Sequence, residues 1–244
     1  MRQPFPLVTS GVLALLLGAC AEPSLPLTSP ETLPAALLAA DDVTIPVDFV
    51  KGKGADASDD ALDKALAKIN EVFAGAGITF KKNTVSQFPD SSTAPRTPVD
   101  HGPNAPFSKD EQSVADAGVK TAGQQPGAGK LVVVIVEDLV SSNGRSSAVG
   151  GKTVVGAGPV VIADPFHVEG RSLGAVPFWI VLAHELAHAL GLTHRVLPSD
   201  KNYQHQKAGR YTAPNLMGDP EGATDTELTK DQIDVLKAAA PKFK

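Results

Sequence analysis

Apolar and polar positions follow two different periods along this chain, and the change from one to the other marks its elements. From Val43 to Val50 the apolar residues fall at alternate positions, as a strand with one buried face requires, and Pro46 points to an edge or an irregular start. The period then lengthens. Leu62, Leu66, Ile69 and Phe73 recur at three- and four-residue intervals, which is the stripe of an amphipathic helix. Ser58 stands at the cap of that helix, Asp59 and Asp60 follow at the positive end of its dipole, and Gly75 and Gly77 end it. Ile78 to Val85 reads as a second strand. Leu131 to Val136 is an unbroken aliphatic run, expected of a strand buried on both faces, and Val154 to Ala163 reads as a further strand.

Two more helices complete the pattern. One begins near Pro177 and is apolar on most sides through Trp179, Ile180, Leu182, Ala183, Leu186, Ala187 and Leu190, so it is expected to be central and buried. The other carries Leu228, Ile233 and Leu236, with Thr229 and Asp231 near its start. Residues 86–130 break the periodicity with Pro89, Pro95, Pro98, Pro103, Pro106 and Pro126 among many polar residues. This stretch is expected to be a long irregular excursion with a short helix around Lys109–Lys120, either a lid or binding loop or a disordered insert.

The buried helix carries the candidate chemistry. Residues 184–194 read His-Glu-Leu-Ala-His-Ala-Leu-Gly-Leu-Thr-His and hold three of the chain's 6 histidines. Four residues apart on a helix, His184 and His188 share one face, and that spacing lets both reach one metal ion. Glu185, turned about 100° from His184, can reach a water at that ion without being a ligand. His194 can be the third ligand only if the helix stops and the chain turns back, and Gly191 stands where that stop is required. With 22 glycines and 6 histidines in 244 residues, adding Gly191 and His194 makes chance agreement with the shorter motif roughly 450-fold rarer. By contrast Gly151-Lys152-Thr153 ends like a phosphate-binding loop, but Ser146 stands where that motif needs glycine, which argues against nucleotide binding.

Downstream, Asn215-Leu216-Met217-Gly218 supplies one of only 2 methionines, the other being Met1. Together these residues resemble the metzincin zinc metallopeptidases. The resemblance implies an α+β fold, with a mixed twisted sheet whose edge strand lies over a central zinc helix. Below it would come a small lower subdomain holding the methionine turn and a C-terminal helix. It implies one catalytic Zn2+ held by His184, His188 and His194, with Glu185 as general base in peptide-bond hydrolysis and Met217 as an apolar floor beneath the metal. It further implies that peptide substrate binds in extended form along the edge strand, for which Val154–Ala163 is the candidate, with Tyr211 and Leu216 on the pocket wall. Two positions depart from the family pattern. Asp219 stands where some members carry a tyrosine two residues after the methionine, and Arg195 follows the third histidine, so the subfamily stays open. His101, His167 and His205 read as solvated loop residues. The rival function is a non-catalytic zinc-binding or adhesion lipoprotein on the same fold, against which the retention of Glu185 argues.

The amino terminus sets the expected compartment. Arg2 provides a short positive start, Val12–Leu17 an apolar run too short to span a membrane, and Leu17-Gly18-Ala19-Cys20 resembles a bacterial lipoprotein signal. Residues 1–19 are then a signal peptide. Cys20, the only cysteine, would be lipidated, and residues 20–42 would form a flexible tether or a short pro-segment. Residues 43–244 are the expected catalytic domain, a monomer, anchored at the cell envelope and more consistent with the outer than the inner membrane because Ala21 follows Cys20. An ordinary secretory signal is the alternative. Removing residues 1–19 takes away Arg2 alone and moves the formal charge from −5 to −6, so nothing favours nucleic acid as a partner.

Overall fold

The structure is a computed structural model, and it describes residues 42–88, 96–99, 107, 109–124, 130–141, 151–156, 158–163, 177–193, 215–217 and 226–243. These all belong to one unit, Leu38–Lys244. The elements in order are β1 (Val43–Lys51), α1 (Asp59–Phe73), β2 (Ile78–Gln87), β3 (Arg96–Val99), α2 (Lys109–Thr121), β4 (Leu131–Val136), β5 (Asp138–Ser141), β6 (Gly151–Thr153), β7 (Val160–Ala163), α3 (Phe178–Ala189) and α4 (Lys230–Ala239). Short 3₁₀ turns follow α1 at Ala74–Ala76 and α4 at Ala240–Phe243. Among the described residues no helix is long and apolar enough to cross a membrane.

A five-stranded mixed sheet runs in the order β2-β1-β4-β7-β6, parallel throughout except for β6, which is antiparallel to β7. A separate parallel pair joins β3 to β5. The alternation of side chains along β4 divides the interior in two. Leu131, Val133 and Ile135 join Val43, Ile45, Val47 and Phe49 of β1 in the core shared with α1, α3 and α4. Val132, Val134 and Val136 face the other way, onto Ala115 and Val119 of α2. Helices on both faces explain why all of β4 is buried and why its sequence is continuously aliphatic. Each such side chain contributes about 1.5–3 kcal/mol on burial, more than the ~1 kcal/mol of a helix cap, so packing on β4 dominates the placement of the helices.

Local signals nonetheless set the helix ends. The Ser58 side chain accepts from the Ala61 N–H at 3.1 Å, and α1 buries Leu62, Ala65, Leu66, Ile69 and Phe73. Asn70 on α1 also closes the outer edge of β2. Its Nδ2 donates to the Phe80 carbonyl at 3.0 Å, and its Oδ1 accepts from the Phe80 N–H at 2.8 Å. At Asp48 the parallel register of β1 and β2 shifts, so that Asn83 and Thr84 oppose this one residue. The buried carboxylate accepts from Asn83 Nδ2 at 2.7 Å, Thr84 Oγ1 at 2.6 Å and Gln124 Nε2, so three neutral donors compensate its burial.

Two expectations are corrected here. Val154–Ala163 is not the edge strand: among the described residues of that stretch only Val160–Ala163 forms a strand, and it lies inside the sheet between β4 and β6. The edge is β6, within the glycine-rich stretch that had no strand period. Between Gln87 and Lys130 the excursion holds β3 as well as the foreseen helix, and α2 is a structural layer because it covers the second face of the sheet. Residues 1–41, with Cys20 and the expected signal and tether, lie outside the described residues.

The approach of α2 to the sheet is unusually close at Gly118, where a Cβ would stand 2.3 Å from Val134 Cγ2. Gly118→Ala is therefore expected to lower the unfolding free energy by about 1–3 kcal/mol through overpacking. In urea denaturation, Gly118→Ala with Val134→Ala should lose less than the sum of the single variants. Strict additivity would show that the helix does not depend on this approach.

Candidate metal centre

Helix α3 delivers His184, Glu185 and His188 into the interior, at 7%, 6% and 3% exposure. It ends as the spacing required. Leu190 is the C-cap, and Gly191 takes a left-handed φ of 98°. The Gly191 N–H donates to the His188 carbonyl at 2.8 Å, and the Leu192 N–H to the Ala187 carbonyl at 3.0 Å. This pair of bonds is a Schellman turn, and it reverses the chain while satisfying carbonyls that the helix end leaves open. His194 itself lies outside the described residues.

The same turn orients a histidine. Leu192, brought back beneath the helix, places its carbonyl 2.7 Å from His188 Nδ1. The Leu216 carbonyl stands 2.7 Å from His184 Nδ1. A carbonyl only accepts, so both Nδ1 atoms carry the proton, and each ring when neutral presents a lone pair at Nε2. The two Nε2 atoms are 3.1 Å apart, with ring planes at 86°. Two lone pairs at that distance repel unless a shared proton or a cation lies between them. Two nitrogen ligands of one zinc, at about 2.05 Å and a tetrahedral angle, are about 3.3 Å apart. The histidine pair therefore fits a zinc ion. Among the described residues no group of three His, Cys, Asp or Glu side chains gathers.

Glu185 lies against β6. A Cβ on Gly151 would stand 2.6 Å from Glu185 Cγ and 2.9 Å from Oε1, so only glycine admits the carboxyl there. Burial pushes the Glu185 carboxyl up to about 8, and the nearby Thr153 hydroxyl and Lys152 ammonium pull it down without cancelling that effect. The Thr153 hydroxyl biases the carboxyl electrostatically but makes no bond of hydrogen-bond geometry. Thr153 Oγ1 and Glu185 Oε2 are both buried with no hydrogen-bond partner among the described residues. A buried acid with one oxygen left for an incoming group is suited to proton transfer.

Lys152, between Gly151 and Thr153, entered the sequence reading only as part of a rejected phosphate-loop pattern, and its partner went unread. Lys152 points through the sheet to the opposite layer, where Nζ meets Glu111 Oε1 at 2.9 Å and Oε2 at 2.8 Å, both residues buried. Removing one partner of such a pair costs about 3–5 kcal/mol, so α2 holds the edge strand in place from behind. Met217 is fully buried in the main core, as is Leu216, which contributes its carbonyl to the site while its side chain packs inside. Tyr211, Asp219, Arg195, His101, His167 and His205 lie outside the described residues.

No protein family and no curated relative matches the sequence. Among solved structures, metalloproteinase-II from Bacteroides fragilis is similar, with 14% identity and a TM-score of 0.48 over 82% of this chain and 54% of that one. Archaemetzincin from Methanopyrus kandleri is similar with 15% identity and a TM-score of 0.45, over 80% of this chain and 95% of that one. The chain thus spans about half the length of the Bacteroides protein.

The raised Glu185 pKa has a measurable consequence in the metal-free protein. The unfolded chain releases this proton near 4.5 and the folded chain only near 8, so stability falls as pH rises between those values. Glu185→Gln should remove that decline. In denaturant titrations with a chelator present, the variant should gain on the wild type from pH 5 to pH 8, and parallel profiles would show that the carboxyl is not buried as described.

Proposed function

We propose that this protein is a zinc-dependent endopeptidase. One observation carries the reading: two imidazoles, each fixed by an Nδ1–H to a backbone carbonyl, bring their Nε2 atoms to 3.1 Å beside a buried carboxyl with one unpaired oxygen. His184, His188 and His194 would hold the metal, and the helix stop at Gly191 is what a third ligand at 194 requires. A zinc ion there supplies a Lewis acid that polarises a peptide carbonyl and acidifies water. Glu185 accepts the proton of the attacking water and passes it to the departing amine, a role that its near-neutral pKa suits. Substrate would lie extended along β6, which among the described residues pairs on one side only, with β7. Main-chain bonding to an edge gives affinity with little sequence preference. Met217 would form part of the floor beneath the metal, inside the core where it is fully buried.

Purified protein should hold about one zinc per chain and cleave members of a proteome-derived peptide library. Glu185→Ala should retain the zinc and lower kcat by at least ~10²-fold, the scale of a lost general base. Zinc binding with no cleavage by the wild type would favour the non-catalytic reading, and full activity in Glu185→Ala would sink the mechanism.

We also propose that Cys20 anchors the protein to a bacterial cell envelope by a lipid. Its place at the end of Leu17-Gly18-Ala19-Cys20 supports this. Cys20→Ser should move the protein to the soluble fraction or leave its precursor uncut in a membrane fractionation. Normal processing with unchanged membrane association would refute the anchor.

A further inference from the structure

We propose that the buried amide pair Asn215–Gln232 is a positioning device that ties the start of the C-terminal helix to the orientation of His184, and so sets how tightly the site holds zinc. The inference rests on the zinc reading above and assigns residues outside the metal-binding motif.

The connection is continuous in hydrogen bonds. Asn215 Nδ2 donates to Gln232 Oε1 at 2.9 Å, and Gln232 Nε2 donates back to Asn215 Oδ1 at 3.0 Å. Each amide is also held by a backbone donor. The Met217 N–H bonds Asn215 Oδ1 at 2.9 Å, and the Thr229 N–H bonds Gln232 Oε1 at 2.9 Å. Those two N–H groups leave one assignment of oxygen and nitrogen for both side chains, so neither amide can flip without breaking a backbone bond. Asn215 and Gln232 are 1% and 5% exposed, so water does not compete for these bonds.

Each end of the connection matters locally. Gln232 is the third residue of α4 and completes a capping box with Thr229, whose side chain accepts from the Gln232 N–H. Between Asn215 and Met217, the Leu216 N–H is held by the Glu227 carbonyl at 3.0 Å, while the Leu216 carbonyl receives His184 Nδ1–H. The residue that orients His184 is thus gripped on both sides by the segment that opens α4. Further along that helix, Val235 comes within 4.0 Å of the Cβ position of Gly191, in the turn that carries the Leu192 carbonyl to His188. Groups that orient a metal-binding histidine typically change affinity about 10–100-fold when removed.

Gln232→Glu in the full chain tests this directly. The variant keeps the acceptor for Thr229 and Asn215 Nδ2, and with it the cap. With its carboxyl ionised it loses only the donor to Asn215 Oδ1, setting two acceptors against each other, so binding is followed to a pH high enough for a buried acid to give up its proton. Zinc affinity is read by competition with a chromophoric chelator, and ligand geometry by the visible spectrum of the cobalt-substituted protein. The zinc Kd should rise about 10–100-fold and the cobalt bands should change, while the metal-free protein keeps its circular dichroism. A carboxylate added near a cation tightens binding by charge alone, so weakening reports position. Asn215→Asp, which keeps both acceptor roles of Asn215 and loses its donor, should behave in the same way.

Unchanged zinc Kd and cobalt spectrum in either folded variant overturns the proposal. Loss of fold in both would make the pair a requirement of the whole fold and overturns it as well. Wild-type protein and His184→Ala separate the two levels of inference. If the wild type binds no zinc, the zinc reading fails and takes this inference with it. If it binds zinc that His184→Ala abolishes, equal affinity in the amide variants defeats the positioning role alone.

Discussion

Two hydrogen bonds from imidazole to backbone, His184 to the Leu216 carbonyl and His188 to the Leu192 carbonyl, govern this centre. An imidazole on a helix can rotate about two side-chain bonds and can carry its proton on either nitrogen. Each carbonyl removes both freedoms at once, because it fixes the ring and demands a proton at Nδ1. The surrounding structure is arranged to deliver those two oxygens. One arrives through the Schellman turn at Gly191, the other through a segment pinned between Asn215 and the start of α4. The Leu192 carbonyl arrives through a local turn, whereas the Leu216 carbonyl, 32 residues from His184, reaches α3 only once the chain has folded, so the orientation of His184 and the fold form together.

The sheet has a second task, which is to hold a carboxyl out of water. Glu185 rests on bare backbone at Gly151, and burial there raises its pKa. The strand providing that backbone is only three residues long and would be weak alone. It is steadied from both sides, by β7 through main-chain bonds and by Glu111 through Lys152. A buried ion pair in the layer opposite the site thus contributes to the wall against which an acid is pressed.

Much of this was legible in the sequence where a periodic or stereochemical signal existed. The stripe Leu62-Leu66-Ile69-Phe73 with its Ser58 cap, the aliphatic run of β4 and the glycine stop after α3 each follow from a local rule, and each stands as expected. The edge strand was misplaced because Gly151-Lys152-Thr153 has neither length nor apolar alternation, whereas the β-branched run Val160-Val161-Ile162 suits an interior strand equally well. The β3–β5 pair was missed because Pro98 sits within β3, a position that argues against a strand on local grounds. Lys152 with Glu111, Asp48 with Asn83 and Thr84, and Asn215 with Gln232 join residues 17 to 41 positions apart. Such pairings leave no trace in the composition or period of either segment. The placing of His184, Glu185 and His188 on one buried helix was readable, while the scaffold that orients the two rings was not.

The Gly191 turn makes the chain length after His188 a quantity that cannot drift. Leu192 answers to two partners four and five positions back, its carbonyl to the His188 ring and its N–H to the Ala187 carbonyl. An inserted or deleted residue in this interval would break both agreements together, turn His188 and send the following chain in a new direction. Side chains at 189, 190 and 192 are open to replacement by others of similar volume and polarity, but their number is not. In this segment the register of the backbone, more than the identity of most of its residues, is what an altered gene must leave intact.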